Sequence, residues 1–377
     1  MQARVDNQVA VIRRRRGIAV ADLAKQAGIS RQTIYAIEAG TFVPNTEVAL
    51  RLARTLKVSM EDLFQLPGET KPPTESLSAE ILSASIPSKD QPVRVCQIDE
   101  KNFAIPVTSA PYFLPEADGV IDKVGRQGKA SLKLFAKDDS YQKRLLLAGC
   151  DPAASILTRM VESICGVEIV NAAAPSKLAL KWLAEGRVHI AGTHLEDEAT
   201  GEYNLPYLRT TYPSAQFTVV TFASWEEGLV VAPGNPLELR TVACLTRKGV
   251  RFINREPTSG SRALLDKLLA QTGIKPGKIT GYERVALGHL AAAYAVSTAA
   301  ADCCLATRSA AQAFGLGFIA IKKERYDFVI RKETLHLPAA EAFLDVLQRA
   351  TLRRKLEVLA GYDTVATGSV IQESCKG

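Results

Sequence analysis

The sequence predicts a multidomain protein in which a small all-α domain precedes an α/β domain of two lobes, with a small β-rich connector between them. Three observations predict this class. Short amphipathic stretches fill residues 1–66, a Pro- and Gly-rich break follows at 67–74, and buried strands alternate with helices from Leu145 onward. The predicted boundaries are 1–67 for the all-α domain, 68–92 for a linker, 93–140 for the connector and 141–377 for the α/β domain.

The all-α domain contains the pattern of two helices joined by a tight turn. A helix is predicted to end at Ala27, Gly28 supplies the positive φ that the turn needs, and Ser30 caps the next helix. In that helix Ile34 and Ile37 share one face and are predicted to be buried. The side chains that face away from them are Arg31, Gln32, Thr33, Tyr35 and Ala36. This is the layout of a helix-turn-helix, whose second helix enters the major groove of DNA.

Five short helices in this order resemble the Cro/repressor type of helix-turn-helix, the XRE family, over residues 1–66. The stretches that carry the resemblance are Leu23-Ala24, Gly28-Ile29-Ser30, Ile34, Ile37-Glu38-Ala39-Gly40, Pro44, Leu50, Ala53-Arg54 and Leu56. The resemblance implies that Arg31, Gln32 and Ala36 contact base edges of a double-stranded operator. Thr33 and Tyr35 are then expected to contact base edges or phosphates. A homodimer is also implied, because operators of this family are usually two-fold related. A helical dimerisation module is the alternative.

The charge distribution agrees with DNA binding by this domain. The chain carries 47 basic and 40 acidic residues, a net charge of +7, and residues 1–66 hold ten basic against six acidic residues. More than half of the basic excess therefore lies in the all-α domain, as expected of a part that binds nucleic acid. The run Arg13–Arg16 is expected to contact phosphates, with a solvated face as the alternative.

Composition and cysteine usage indicate the compartment. No signal peptide is visible, and the most apolar long run, Leu290–Ala306, contains Ser, Thr and Asp, so we expect a cytoplasmic protein with no membrane contact. The seven cysteines show no CxxC or Cys/His ligand spacing. We therefore expect reduced, mostly buried thiols, no metal site, and no cofactor apart from a bound ligand.

Residues 93–140 have the pattern of a small β-rich connector. Its strand-like runs are Val93–Ile98, Phe103–Val107 and Ser131–Ala136. The turn signals Asp118-Gly119 and Gly125–Gly128 separate them. The Ser-rich stretch before them, with Pro87 and Pro92, is typical of a linker. The connector is either a spacer, a dimer contact or part of the next domain.

From Leu145 the pattern is that of βαβ units. Leu145–Gly149 is predicted as a buried strand, Asp151–Ile164 as a helix with Pro in its first turn, and 167–170 as the next strand. A second set of the same kind spans 250–321. The two sets are predicted to join near 232–238 and again near 322–328, so we expect two lobes with a cleft between them.

These stretches resemble the periplasmic-binding-protein-like domain of the type II, molybdate-binding kind, over nearly all of 145–375. The resemblance is carried by 148–153, 191–195, 228–236, 250–255, 259–262 and 324–327. The cytoplasmic version follows XRE-type domains, so the resemblance implies a sensor rather than a transporter. The family usually has Gly-Ser-Gly-Thr-Arg at Thr258–Arg262, and Gly and Ala at Cys303-Cys304. Both departures bear on the identity of the ligand.

Side chains at the strand ends are predicted to line the cleft. The turn Thr258–Arg262 opens a helix directly after a strand, and its amides, hydroxyls and positive helix end suit an anion. The expected ligand contacts are Cys150, Asp151, Thr193, His194, Ser259, Ser261, Arg262 and Tyr326. Asp151, Ser259 and Ser261 are also natural helix caps. His194 is equally consistent with a packed core histidine.

Together the domains predict a one-component, non-enzymatic transcriptional regulator in which closure of the lobes on a ligand changes the affinity for the operator. The ligand expected from the resemblance is an oxyanion such as molybdate or tungstate. The alternatives are an organic metabolite or cofactor precursor, and an α/β scaffold that binds no ligand. An enzyme that uses Cys150, Asp151 and His194 as a nucleophile–base set is a further alternative, which no spacing in the sequence requires.

Overall fold

The computed structural model describes residues 5–58, 60–65, 76–84, 86–107, 116–126, 128–136 and 139–372. The chain divides into two compact units, Met1–Thr74 and Glu75–Gly377. Within the described ranges, no helix is long and apolar enough to cross a membrane.

The N-terminal unit is a helical domain with a short β-ribbon. Its elements are β1 (Asp6–Asn7), α1 (Val9–Arg15), α2 (Val20–Ala27), α3 (Arg31–Glu38), α4 (Thr46–Leu56), α5 (Met60–Leu63) and β2 (Phe64–Gln65), and β1 pairs antiparallel with β2. Leu23 of α2, Ile34 and Ile37 of α3, and Leu52 of α4 form a buried apolar core. Gly28, at a φ of 69°, ends α2 in the left-handed conformation. The predicted helix-turn-helix is confirmed.

Arg13 corrects one expectation. Its Nε and Nη2 donate to the two carboxylate oxygens of Glu38 at 2.6 and 3.0 Å, and its Nη1 donates to the carbonyl oxygen of Ile18 at 3.0 Å. The two ion-paired side chains are only 11% and 9% exposed. Arg13 therefore ties α1 to the end of α3 and is not available to a phosphate.

The second unit begins with a closed barrel. Its strands are β3 (Ser76–Ile81), β4 (Pro92–Ile98), β5 (Lys101–Pro106), β6 (Gly119–Val124) and β7 (Lys129–Leu134), in the order β3-β5-β4-β6-β7. Strand β3 lies inside the segment 68–92 that was predicted to be a linker, and that part of the prediction is wrong. Ser76 and Ser78 are exposed while Ala79 and Ile81 are buried, so the serines are the solvent face of a strand. Residues 68–75 lie outside the described part of the chain.

The rest of the unit is built on one ten-stranded mixed sheet, in the order β13-β12-β14-β11-β15-β10-β8-β9, with β16 and β17 paired to β11. The strands are β8 (Leu145–Gly149), β9 (Ile169–Ala173), β10 (Ile190–Thr193), β11 (Phe217–Val231), β12 (Phe252–Arg255), β13 (Val285–Ala286), β14 (Cys303–Thr307), β15 (Gly317–Arg331), β16 (Tyr362–Asp363) and β17 (Val370–Gln372). The helices are α6 (Ala154–Cys165), α7 (Ser176–Ala184), α8 (Leu205–Thr211), α9 (Gly260–Gln271), α10 (His289–Ser297), α11 (Arg308–Ala313), α12 (Pro338–Gln348) and α13 (Ala350–Val358).

Two long antiparallel strands, β11 and β15, connect the two lobes. Lobe I comprises β8–β10 with α6–α8, α12 and α13, and lobe II comprises β12–β14 with α9–α11. The predicted pair of lobes is confirmed, but the first connection lies inside β11 and not at 232–238. Register shifts after Thr221 and Glu227 mark the crossing. The polar residues between them resemble a loop in the sequence, whereas pairing with β15 keeps them extended.

The barrel is packed onto lobe I. Cys96, Phe103 and Ile105 of the barrel share one buried apolar cluster with Leu146 and Leu180 of lobe I. Arg144, just before β8, donates from Nη1 to the carbonyl oxygen of Val95 at 2.9 Å and to Asp118 Oδ2 at 2.7 Å. The β-rich connector is therefore part of the α/β unit.

Candidate functional site

The N-terminal unit presents α3 as its candidate DNA-contacting surface. Arg31, Gln32 and Tyr35 are exposed, and Tyr35 is 59% accessible although it is a large aromatic residue. Thr33 is partly buried, and its amide donates to the Ser30 hydroxyl at 3.0 Å. Ala36 is also partly buried. The exposed groups are a guanidinium, an amide and a phenol, which suit base edges and phosphates.

In the second unit the two lobes touch at the cleft. Gly260, the first residue of α9 in lobe II, lies against His194 at the end of β10 in lobe I. A Cβ added at Gly260 would lie 2.2 Å from Cε1 of His194. Lys267 of α9 reaches Glu198 of lobe I at 3.4 Å. The structure therefore has its lobes closed.

A cluster of buried polar side chains lies where the lobes meet. His194 Nδ1 is 2.8 Å from Glu324 Oε2, and its Nε2 is 3.6 Å from the sulfur of Cys150. His289, at the start of α10, is 1% exposed. Its Nδ1 lies 3.9 Å from Glu227 Oε2. These groups thus come from the ends of β8 and β10 in lobe I, from the connecting strands β11 and β15, and from α10 in lobe II.

Aromatic rings pack around the same cluster. The Trp225 ring lies 5.1 Å from that of His194, 5.4 Å from that of His289 and 4.9 Å from that of Tyr326, between ring centroids. The Tyr326 hydroxyl accepts a hydrogen bond from the Cys150 amide at 3.2 Å. These rings pack against both histidines.

Burial shifts the ionisation of the acidic groups. Burial and the nearby Glu324 raise the pKa of Glu227 to about 7. Burial also raises the pKa of Asp151 to about 7, although the hydrogen bond from Tyr362 opposes it. Both carboxyl groups therefore exchange protons near neutral pH, and the centre is rich in carboxylate oxygen rather than in free positive charge.

The two histidines are shifted in opposite directions. Burial and the positive charge of Arg255 hold the pKa of His289 well below its ordinary value, so this imidazole is neutral. Burial also opposes a charge on His194, but Cys150 and Glu324 outweigh it and raise the pKa of His194.

Two cavities flank the cluster. The larger, of about 340 Å³, is lined by Cys150 and Asp151 at the end of β8, by Gly288 and His289 of lobe II, and by barrel residues. The barrel residues are Leu82, Ser83, Ala84, Ile105 and Pro106. The smaller, of about 280 Å³, lies on the other side, against His194, Gly260 and Lys267. The barrel thus contributes a wall to the candidate ligand site.

Of two further predicted ligand contacts, Ser259 is the N-cap of α9, whereas Asp151 forms a turn just before α6 and also lines the larger cavity. Asp151 Oδ1 accepts from the Ala153 amide at 2.7 Å and from the Tyr362 hydroxyl at 2.6 Å. Ser259 Oγ accepts from the Arg262 amide at 3.2 Å and donates to the carbonyl oxygen of Glu256 at 2.8 Å. The capping alternative describes Ser259, whereas Asp151 leaves its other carboxylate oxygen without a hydrogen-bond partner among the described residues.

Two others are used elsewhere in the fold. The Thr193 hydroxyl donates to Asn204 at 3.1 Å and is fully buried. Arg262 donates to the carboxylate of Asp266 at 3.3 Å, and its guanidinium stacks 3.9 Å above the ring of Tyr282. The prediction assumed that both side chains point into the cleft. In the structure Thr193 is hydrogen-bonded to Asn204 and Arg262 to Asp266, each on its own lobe.

The remaining predicted residues lie at the cluster, together with groups that the sequence analysis missed. Cys150, His194 and Tyr326 meet there, and Ser261 accepts from Arg255 Nη1 at 3.4 Å. The missed residues are Trp225, Glu227, His289 and Glu324. Cys150, His194 and His289 offer ligand atoms within 4.8 Å of one another. No metal site was expected, because these residues are far apart in the sequence and form no spacing motif.

Comparisons with known proteins found a match to a family model in each of the two units of the chain. The family model of the PBP superfamily domain matches residues 160–348, and a helix-turn-helix model matches residues 10–63. The uncharacterized protein YvgK of Bacillus subtilis is 32% identical over 230 residues, which are 61% of this chain and 74% of that protein. The uncharacterized HTH-type transcriptional regulator YgzD of Bacillus subtilis is 38% identical over 63 residues, which are 17% of this chain and 96% of that protein. A putative phosphate ABC transporter substrate-binding protein of Clostridium perfringens, solved with bound phosphate, has a TM-score of 0.44 at 14% identity over 58% of this chain and 99% of that chain.

Proposed function

Because the chain belongs to the PBP superfamily and carries a helix-turn-helix domain ahead of that part, we propose that it is a one-component transcriptional regulator that binds operator DNA and a small ligand. One observation carries the proposal: an exposed α3 with Arg31, Gln32 and Tyr35 is joined in one chain to a two-lobed domain with cavities at its cleft. The regulator is non-enzymatic and acts in the cytoplasm, where an operator is accessible. It binds DNA as a homodimer, since one helix-turn-helix covers too few base pairs for selective binding.

Closure of the lobes is the proposed signal. A ligand that contacts both lobes favours the closed form by the difference between its affinities for the closed and open forms. The strands β11 and β15, which connect the lobes, act as the hinge, and the close contact between Gly260 and His194 is characteristic of the closed form. The closed and open forms are then expected to differ in DNA affinity, with a coupling of about 1–3 kcal/mol.

For the ligand, we propose a small anion in the larger cavity, with a molybdate-type oxyanion as the member that the family resemblance implies. The N-terminal ends of α6 and α10 border this cavity, and helix N-termini favour anions. Its volume of about 340 Å³ is also large enough for a small organic acid. Asp151 and Glu256 also line this cavity and oppose an anion when they are ionised, as Glu227 and Glu324 do deeper in the cleft.

The experiment has two parts. The full chain is first used to select duplexes from a randomised pool, and light scattering with a selected duplex measures the stoichiometry. We expect an enriched, two-fold related sequence bound by two chains. Recovery of duplexes without sequence preference, or binding of a single chain, would contradict the regulator or the dimer, respectively.

A thermal-shift series with molybdate, tungstate, sulfate and organic acids then tests the ligand. A binder raises the unfolding temperature of the α/β unit in proportion to the logarithm of its concentration. Stabilisation by organic acids alone would reject the oxyanion and keep the sensor. No stabilisation by any anion would reject the anion site.

A further inference from the structure

Three side chains with metal-binding atoms converge between the lobes. Cys150 Sγ, one ring nitrogen of His194 and one of His289 all lie within 4.8 Å of one another. Cys150 follows β8 and His194 follows β10, both in lobe I, whereas His289 begins α10 in lobe II. We propose that Cys150, His194 and His289 bind one thiophilic transition-metal ion, of the Zn²⁺ or Cu⁺ class, across the interface between the lobes.

The unsatisfied state of His289 is the first argument. His289 is 1% exposed, and neither ring nitrogen has a hydrogen-bond partner within the described residues. Buried imidazole nitrogens are almost always paired, because an unpaired buried polar group lowers stability. A metal ion beside Cys150 and His194 provides the missing partner for one of these nitrogens.

The distances suit such an ion. With metal–sulfur and metal–nitrogen bonds of about 2.3 and 2.05 Å in a tetrahedron, the sulfur and nitrogen are about 3.6 Å apart. The observed separation of Cys150 Sγ and His194 Nε2 is 3.6 Å. The ring nitrogen of His289 lies within 4.8 Å of both other donor atoms, and a small rotation of its side chain brings it to the separation of about 3.5 Å that a tetrahedral site requires.

A glutamate carboxylate faces Nδ1 of each histidine. His194 Nδ1 is bonded to Glu324 Oε2 at 2.8 Å, which leaves Nε2 on the side of Cys150. His289 Nδ1 lies 3.9 Å from Glu227 Oε2. A hydrogen-bonded carboxylate orients a metal-bound histidine and increases its basicity, which is the arrangement of Glu324 and His194, whereas Glu227 is too far from His289 for a hydrogen bond. The nearby Arg255 is already paired with Glu256 at 2.9 Å, so its charge is balanced.

The donor set selects the metal class. A thiolate with two imidazoles favours Zn²⁺ and Cu⁺ over Mg²⁺ and Ca²⁺, which prefer oxygen. Three protein ligands leave one position free on a tetrahedral ion. Cys150 and His289 also line the 340 Å³ cavity, so an anion bound there is placed to supply the fourth donor.

The ligands come from both lobes, so the ion binds completely only when the cleft is closed. If the proposed function holds, binding of the metal ion favours closure of the two lobes and so acts as the signal, with or without an anion as the fourth ligand of the metal. The metal site itself does not depend on DNA binding and is measured separately.

The first test is metal binding to the full chain. Zn²⁺ is titrated against a chromophoric chelator, with the wild type, Cys150→Ser and His289→Gln. We expect one ion per chain, bound at least ~100-fold more weakly by either variant. Cys165→Ser and His336→Gln are matched controls, because these exposed residues lie outside the cluster, and both should bind as the wild type does. The absence of one-to-one binding, or equal binding by Cys150→Ser and wild type, would overturn the proposal.

A spectroscopic arm shows which atoms bind. Co²⁺ bound to the wild type is expected to show thiolate-to-cobalt charge-transfer absorption, which Cys150→Ser abolishes and Cys165→Ser retains. Thermal unfolding of the metal-free variants establishes that each is folded. Cobalt absorption that persists in folded Cys150→Ser would overturn the assignment. A Cu⁺ competition series then decides which ion of the class binds more tightly.

DNA binding with and without Zn²⁺ separates this inference from the proposed function. Metal binding that leaves the affinity for the selected duplex unchanged would refute the metal as signal and keep the metal site. Selective DNA binding by a chain that binds no Zn²⁺ or Cu⁺ would refute the metal site and keep the regulator.

Discussion

Replacement of Gly260 by alanine is expected to hold the two lobes apart without unfolding either of them. The new Cβ would lie 2.2 Å from Cε1 and 2.7 Å from Nδ1 of His194, whereas ordinary contacts begin at about 3.4 Å. His194 cannot move aside, because Glu324 binds its Nδ1 and the ring of Trp225 packs against it. The lobes must therefore separate by roughly 1 Å at this point.

The magnitude follows from the two effects of the added methyl group. Overpacking at a close contact costs about 1–3 kcal/mol, and here the cost applies only to the closed form. Within α9 an alanine is favoured over glycine by up to about 1 kcal/mol. The unfolding temperature should therefore stay nearly the same, because opening of the lobes relieves the overpacking, while affinity for a ligand that needs closure falls by about 5- to 150-fold.

Tryptophan fluorescence provides the assay. Trp225 is 1% exposed at the junction of the lobes, and the other tryptophan, Trp182, is buried in lobe I. Gly260→Ala should shift the emission of Trp225 to longer wavelength and weaken Zn²⁺ binding. Gly277→Ala is the matched control, since a Cβ there meets no atom within 4 Å. An emission spectrum and a Zn²⁺ affinity equal to those of wild type would refute the reasoning.

Three further predictions concern single side chains. Gln32→Ala should weaken operator binding by about 1–3 kcal/mol and barely affect binding to random DNA, because the Gln32 amide pairs with a base edge. Fluorescence anisotropy on both duplexes measures the two affinities, with Gln26→Ala, at an exposed position of α2, as the control. Equal losses of affinity on both duplexes would contradict the prediction. Arg13→Ala should destabilise the N-terminal unit by about 3 kcal/mol, because Glu38 is left buried and unpaired. Thermal unfolding measures this loss of stability. The control Arg14→Ala, at an exposed position, should stay within about 0.5 kcal/mol of wild type. Burial lowers the pKa of His189 from 6.5 to about 4, so the unfolded chain binds its proton more readily and stability falls by about 3 kcal/mol as the pH drops through that interval. Urea unfolding at several pH values should show a flatter profile for His189→Asn, which keeps an acceptor for the Leu146 amide; an unchanged profile would show that other groups dominate.

The parts of the fold that the sequence predicted well have strong local signals. Strand β8 was predicted at its observed bounds, Leu145–Gly149, because five consecutive apolar or small residues fit a strand that is covered on both faces. The turn Thr258–Arg262 was predicted to open a helix, and α9 begins there at Gly260 with Ser259 as its cap. Strand β3 was missed because its exposed serines give the composition of a linker.

The site was only half predictable. Cys150 and His194 follow strands of a βαβ unit, so their convergence at one sheet edge follows from topology. Trp225 and Glu227 lie in the middle of the long strand β11, which the sequence analysis did not predict as one strand, and His289 begins a helix of the other lobe. Their approach to Cys150 depends on how the two lobes close, and no local sequence pattern predicts that geometry.

The way in which the chain passes between the lobes has a consequence for folding kinetics. Lobe II is a continuous insertion between β11 and β15, whereas lobe I is completed only when the two long strands pair. Phe217 faces Arg331 in that pairing, so a loop of more than a hundred residues must close first. Contacts between residues so distant in sequence slow folding, while the contiguous insertion forms its contacts over shorter separations. Lobe II is therefore expected to fold before lobe I, and hydrogen-exchange labelling during refolding should protect β14 earlier than β10.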